Sequence, residues 1–169
     1  MEVYYKKYKD ELVILHFDAH TDLRDDYMGE KLSHASVIKR IYDMVGRDKI
    51  YQFCIRSGEK DEFSYHEKGI FQEKFKFTKL EEIIEKIKGR PVYVTIDLDV
   101  LDPSIFSGTG TPEAGGINFH EMLDLIKVLK NAKIVGADVV ELSPHYDQSG
   151  VSTAVACKII RELTFAILK

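Results

Sequence analysis

Residues 12–17 read LVILHF, a near-continuous apolar run of strand length, and the run breaks off into the polar stretch Asp18-Ala-His-Thr-Asp22. Such a run suits a strand buried on both faces, as in a parallel sheet. Residues 49–55 (KIYQFCI), 91–96 (PVYVTI) and 132–140 (AKIVGADVV) repeat the pattern, each after a polar or glycine-bearing stretch. Between these four predicted strands, apolar residues recur at three and four over residues 33–45, 80–88, 119–130 and 153–168, which predicts four helices. Thr78 with Glu81, and Asn118 with Glu121, have the spacing of capping boxes, and Gly89 with Pro91 closes the second helix. Strands alternating with helices predict an α/β fold of three αβα layers around a mainly parallel sheet.

The chain has 169 residues with 24 Lys plus Arg against 28 Asp plus Glu, a net charge of −4, and it is 44% hydrophobic and 31% charged. These values describe a single soluble globular domain. A chain of this length buries roughly 70% of its unfolded surface, so no disulfide or structural metal is needed to hold a core. Cys54 and Cys157 lack the spacing of a zinc site or disulfide framework and are expected to be buried and reduced, which favours the cytoplasm. No uncharged apolar run approaches the roughly 18 residues of a membrane span, and residues 1–10 are too charged for a signal peptide. The lysines are dispersed among acids, as in residues 79–88, which excludes a phosphate-tracking stripe and argues against nucleic-acid binding. The one glycine-rich stretch, residues 108–116 (GTGTPEAGG), matches neither phosphate-loop pattern.

In open α/β sheets ligands bind beyond the carboxyl ends of the strands. There the first run is followed by Asp18, His20 and Asp22, the third by Asp97, Asp99 and Asp102, and the fourth by Glu141. Alternate residues of an extended chain share a side, so Asp18 with His20, and Asp97 with Asp99, can converge. Carboxylates gathered from neighbouring strand ends cannot all stay ionised without a cation. Arg24 is the only basic residue the sequence places close by, so divalent metal is the simplest supply, and two ions fit the number of ligands. One imidazole with four carboxylates suits Mn²⁺ or Mg²⁺ better than a structural zinc site. The alternative is that Asp18 and Asp22 are turn and capping residues and that the second cluster merely ends a strand.

Residues 16–22 (HFDAHTD), 95–103 (TIDLDVLDP), 108–113 (GTGTPE) and 138–144 (DVVELSP) together resemble the manganese ureohydrolases, the arginase and agmatinase family, over essentially the whole chain. The resemblance implies the arginase fold and two Mn²⁺ ions bridged by Asp18 and Asp97, with Asp22 on one ion and His20 and Asp99 on the other. It implies His34 as a proton shuttle, Glu141 as the carboxylate that holds a guanidinium group, and Asp22 as the residue orienting a hydroxide between the ions. The implied reaction is hydrolysis of a small guanidino compound to urea and an amine, in trimers or hexamers. His16 shares the strand parity of Asp18, but the family pattern makes it a core residue or a support for the ligands. His66 and His120 read as surface or helix-start residues, His145 as a candidate for the substrate entrance, and the glycine-rich loop as cleft wall.

Family members also carry a histidine ligand in an upstream Gly-Gly-Asp-His segment that nothing here matches, so the chain is expected to be the C-terminal portion of a ureohydrolase domain, incomplete at its N-terminus. A truncated sheet is expected to expose an edge or apolar face. Arginases add an Asn- and Ser-bearing grip before the shuttle histidine, and residues 24–32 (RDDYMGEKL) lack it. Agmatine, giving putrescine and urea, is therefore expected over arginine, with N1-aminopropylagmatine as an alternative suited to Asp25, Asp26 and Glu30. A non-catalytic metal-binding or assembly fragment is the reading from another class. With one site lacking its imidazole, calorimetric titration is expected to show tighter Mn²⁺ binding at the His20 and Asp99 site than at the Asp22 site; two equal, tight sites would overturn this.

Overall fold

The computed structural model describes residues 1–168, with Lys169 outside them. Five strands form one sheet: β1 Val13–Phe17, β2 Ile50–Ile55, β3 Ile70–Lys74, β4 Pro91–Asp97 and β5 Lys133–Val140. Their order is β3-β2-β1-β4-β5, and every pairing is parallel. Six α-helices accompany them: α1 Glu2–Tyr8, α2 Val37–Val45, α3 Lys60–Phe63, α4 Leu80–Lys86, α5 Phe119–Leu129 and α6 Val151–Ile167.

Every residue of β1, β2 and β4 is buried, as continuous apolar runs require. Alternation along β1 divides its side chains between two cores. Val13, Leu15 and Phe17 pack with Ile83 and Ile84 of α4, Met122 and Leu125 of α5, and Ile159 and Leu163 of α6. Leu12 and Ile14 pack on the other face with Ile38, Ile41 and Val45 of α2, while tyrosines of α1 close its margin. Tyr4 meets Tyr93 of β4 edge-on at 5.0 Å between ring centroids. The result is three layers around a parallel sheet.

Several sequence expectations need correction. β3 (IFQEK) escaped notice because it is a short edge strand with mixed composition, buried only at Ile70. α1 and the single-turn α3 were also missed, since both are polar on their outer faces. Thr78 does not cap α4. The Glu73 carboxylate occupies that helix end instead, accepting the Thr78 and Lys79 backbone N–H groups at 3.1 and 3.0 Å. Asn118 and Glu121 do form a reciprocal capping box on α5. The predicted helix over residues 33–45 begins as a 3₁₀ turn, His34–Ser36, before α2. Cys54 is buried, whereas Cys157 is exposed, one residue past Ala156 on α6 and so turned off its buried face.

The glycine-rich stretch returns against the end of β4 through a bridge between Leu101 and Ile117. At Gly116 a Cβ would stand 2.5 Å from the Asp102 nitrogen and the Leu101 carbonyl carbon, so backbone touches backbone there. Gly116→Ala is expected to destabilise the chain by about 1–3 kcal/mol, the cost of overpacking a site that cannot yield; thermal unfolding measures it.

Candidate metal centre

β1 and β4 lie side by side, in register from Val13 against Val92 to Phe17 against Ile96. The next residues of that register are Asp18 and Asp97. The chain leaves β1 for β2 and β3 on one side, then returns to β4 on the other, so the strand order reverses between β1 and β4. Loops diverge at such a reversal and leave a crevice beyond the strand ends.

The acidic residues converge there by turns rather than by strand alternation. Beyond β1 the chain folds so that Asp18 Oδ1 accepts the His20 backbone N–H at 2.5 Å. Beyond β4 it enters a 3₁₀ turn, Leu98–Val100, and Asp97 Oδ1 accepts the Asp99 N–H at 2.9 Å. The Ala19 N–H reaches across to Asp99 Oδ1 at 3.1 Å and ties the turns together. His20 Nδ1 then lies 3.0 Å from Asp99 Oδ2 and 3.4 Å from Asp18 Oδ1. Two sets have potential ligand atoms mutually within 4.8 Å, Asp18 with His20 and Asp99, and Asp18 with His16 and Asp22. Asp18 belongs to both. Asp97 falls in neither set, but it is buried close enough to Asp18 and Asp99 for their charges to oppose its ionisation.

The electrostatics show how short of positive charge this cluster is. Burial and the neighbouring carboxylates push Asp97 up to about 11 and Asp22 up to about 9. Burial also raises Asp99. Burial opposes ionisation of Asp18 too, but the hydrogen bonds it accepts from His16 and His20 hold its carboxyl below the usual range. Burial disfavours the charged imidazole of His20, yet hydrogen bonds to Asp18 and Asp99 lift it to about 10. Arg24 does not relieve the crowding, because it turns to Glu59 at 3.1 Å and Glu62 at 3.8 Å. Buried carboxylates that oppose one another's ionisation, beside an imidazole drawn toward its charged form, are a donor set that fits divalent metal.

Asp22 and Glu141 both adopt left-handed backbone, with φ of 54° and 63°. Such conformations cost ~1–3 kcal/mol in a non-glycine residue and persist where a functional arrangement demands them. Glu141 is exposed, directly after β5, and its Oε2 lies 3.7 Å from where a Cβ on Gly110 would stand. The loop 108–113 therefore borders it. His34 is exposed in its 3₁₀ turn, edge-on to Tyr27 at 5.1 Å. Neither residue joins the two ligand sets. His145 is exposed and lies against Tyr146, and His66 and His120 are exposed as expected.

Two residues that shape the site were not singled out from the sequence. Arg56 donates to the carbonyls of Asp99 at 2.7 Å and Glu113 at 2.9 Å, and so fastens the metal-side turn to the glycine-rich loop. Its signal was present, since it is the polar residue that follows the second apolar run. Glu62, 5% exposed, accepts the Thr21 hydroxyl at 2.7 Å and the N–H groups of Leu23 at 2.9 Å and Glu59 at 2.7 Å, bracketing Asp22. Nothing in its charged surroundings, residues 59–62, marked it as buried.

A three-layer parallel α/β sheet with a carboxylate–histidine cluster of metal-binding type at its strand reversal defines the class of this protein. The chain belongs to the arginase family, whose model matches residues 1–166. It is 49% identical over 169 residues to the agmatinase of Bacillus anthracis, covering 97% of this chain and 58% of that protein, and 48% identical to that of Bacillus subtilis, again over 58% of its length. Among solved structures, an assigned agmatinase of Clostridium difficile superposes with a TM-score of 0.95 at 52% identity, covering 98% of this chain and 61% of that one. The proclavaminate amidino hydrolase of Streptomyces clavuligerus gives 0.85 at 30%, covering 96% and 57%. The chain thus spans somewhat more than half the length of these relatives. The arginase family is one of binuclear manganese enzymes.

The proton balance gives a signed prediction. Asp22, Asp97 and His20 bind protons more tightly when folded than when unfolded, so between their unfolded and folded values the native state holds the extra protons and stability falls as pH rises. The metal-free chain is expected to lose melting temperature steadily from pH 5 to pH 9, and added Mn²⁺ is expected to raise it more at pH 9 than at pH 5. Differential scanning calorimetry checks both; a metal-free midpoint that climbs with pH contradicts the argument.

Proposed function

We propose that residues 1–169 form the C-terminal portion of a ureohydrolase domain that hydrolyses a guanidino compound, agmatine before others, to urea and an amine, here putrescine. The observation that carries this reading is the convergence of Asp18, His20, Asp22, Asp97 and Asp99 at one strand reversal in a chain whose Bacillus relatives are agmatinases. Asp18 and Asp97, at the ends of adjacent strands, would hold two Mn²⁺ ions together with Asp22, His20 and Asp99. When bound, the ions supply Lewis-acid activation of water near neutral pH.

The rest falls to the chain's own side chains. Asp22, bracketed by the Glu62 contacts and held in a strained backbone, orients the attacking water. Glu141 faces the loop 108–113 and fixes the guanidinium by charge-assisted hydrogen bonds. His34, exposed and lightly held, carries a proton to the departing amine. Beside the Asp22 loop, a cleft of about 420 Å³ is lined by Asp25, Asp26, Glu59, Asp61 and Glu62 against Arg24 and Lys68, an acidic excess that suits a second cationic end of the substrate and supports agmatine or a longer polyamine over arginine, whose far end bears a carboxylate. No helix among the described residues is long and apolar enough to cross a membrane. Free Cys54 and Cys157 accord with a reducing cytoplasmic setting, and self-association into trimers or hexamers belongs to the same proposal.

The test is urea release with Mn²⁺ from a panel of agmatine, N1-aminopropylagmatine, guanidinobutyrate and arginine. Agmatine is expected to exceed arginine by about tenfold or more in kcat/KM, the scale of one mismatched binding group. Equal or better turnover of arginine would overturn the substrate choice. Mn²⁺ binding without urea from any compound would instead make this chain a metal-binding or assembly module.

A further inference from the structure

His16 lies within ligand distance of Asp18 and Asp22, and its role is decided by residues two strands away. His16 of β1, Gln52 of β2 and Gln72 of β3 are register partners, so they stand in one row across the sheet and point to the same face. Two residues earlier on each strand, Ile14, Ile50 and Ile70 are buried in the core with Leu23 and Tyr65. Gln52 is wholly buried and His16 is 3% exposed. A buried polar group left without a partner costs ~1–3 kcal/mol, so each member of the row must find one.

Backbone carbonyls set the direction of the hydrogen bonds, because a carbonyl only accepts. The Thr21 carbonyl lies 2.7 Å from Gln52 Nε2, which establishes that atom as the amide nitrogen. The second hydrogen of Nε2 points at His16 Nδ1, 2.9 Å away. Gln52 Oε1 accepts in turn from Gln72 Nε2 at 2.8 Å, and the Glu62 carbonyl at 3.4 Å orients that second amide the same way. Nδ1 of His16 is therefore an acceptor, the ring hydrogen sits on Nε2, and Nε2 faces Asp18 Oδ2 at 2.8 Å. A nitrogen that carries its hydrogen has no lone pair to offer a metal.

We propose that Gln52 and Gln72 are positioning residues that lock His16 as an Nε2–H donor to Asp18, so that His16 aims the carboxylate shared by both ligand sets instead of ligating metal itself. The row turns the polar interior of the β1–β2–β3 half of the sheet into a support for the metal centre. The inference rests on the metal-binding part of the function proposed above, but not on the substrate.

Two measurements on the 169-residue chain test it, neither involving turnover. Imidazole ¹⁵N spectra of the metal-free chain are expected to show His16 protonated at Nε2 alone, and Gln52→Met, which keeps the volume but removes the donor, is expected to lose that preference. Calorimetric titration is expected to show Mn²⁺ affinity falling by about 10–100-fold in Gln52→Met, the usual effect of removing a partner that orients a ligand. Gln72→Met, at a half-buried site on the edge strand, frees the Gln52 amide to turn; it is expected to weaken both readouts in the same direction and serves if Gln52→Met does not fold. A His16 hydrogen on Nδ1 in the unsubstituted chain overturns the proposal, as does Mn²⁺ affinity within about twofold of the unsubstituted value in the folded variants. Loss of both readouts' response without urea release overturns this inference together with the function; their response without urea release leaves the inference standing and reduces the proposed function to metal binding.

Discussion

Asp18 and Asp97 end two adjacent parallel strands, and the cost of ionising both in a buried crevice is the constraint on which the site depends. A parallel sheet covered on both faces excludes water from its strand ends, so charge placed there is poorly screened and each carboxylate raises the cost of ionising the next. Turns after β1 and β4 then add Asp99, and the loop beyond them adds Asp22. Two imidazoles are drawn among them: His16 meets Asp18 at 2.8 Å, and His20 gains more from two carboxylates than it loses to burial.

Holding these acids together requires restraint from outside the cluster, and that restraint acts through hydrogen bonds. Arg56 spends its guanidinium on backbone carbonyls, which keeps the Asp99 turn against the glycine-rich loop without neutralising any ligand. Gln52 and Gln72 act through hydrogen-bond direction alone. Glu62 is a further buried acid, yet its oxygens are occupied by the Thr21 hydroxyl and backbone N–H groups, so it organises the Asp22 loop instead of competing for a cation. Left-handed backbone at Asp22 and Glu141 shows where the chain accepts strain for placement.

The fold was legible in the sequence where strands are apolar. β1, β2 and β4 are buried throughout, as the inside of a parallel sheet demands, and β5, an edge strand that is only partly buried, still shows because KIVGADVV is apolar over most of its length. β3 escaped because an edge strand with one open side needs only Ile70 in the core, and its remaining residues read as polar loop. Thr78 had cap spacing, but a nearer carboxylate, Glu73, took the α4 terminus, and spacing cannot anticipate an acceptor arriving from the preceding strand. Arg24 is adjacent in sequence to the cluster yet faces Glu59 and Glu62, since side-chain direction depends on a loop path that local pattern does not define.

By itself the sequence determined the alternation of strands and helices, the parallel arrangement, and the acids at strand ends, because hydrophobic period and residue type are local properties of the chain. It also carried the arginase-family motifs. Folding alone made β1 and β4 neighbours at the strand reversal, set Asp18 within reach of His20, Asp99 and Asp22, and placed an amide from β2, itself held by one from β3, against His16. Those outcomes depend on register between segments 20 or more residues apart, as between Gln52 and Gln72 or His16 and Gln52. Cross-strand register is settled by packing of the whole sheet, and no single segment contains it.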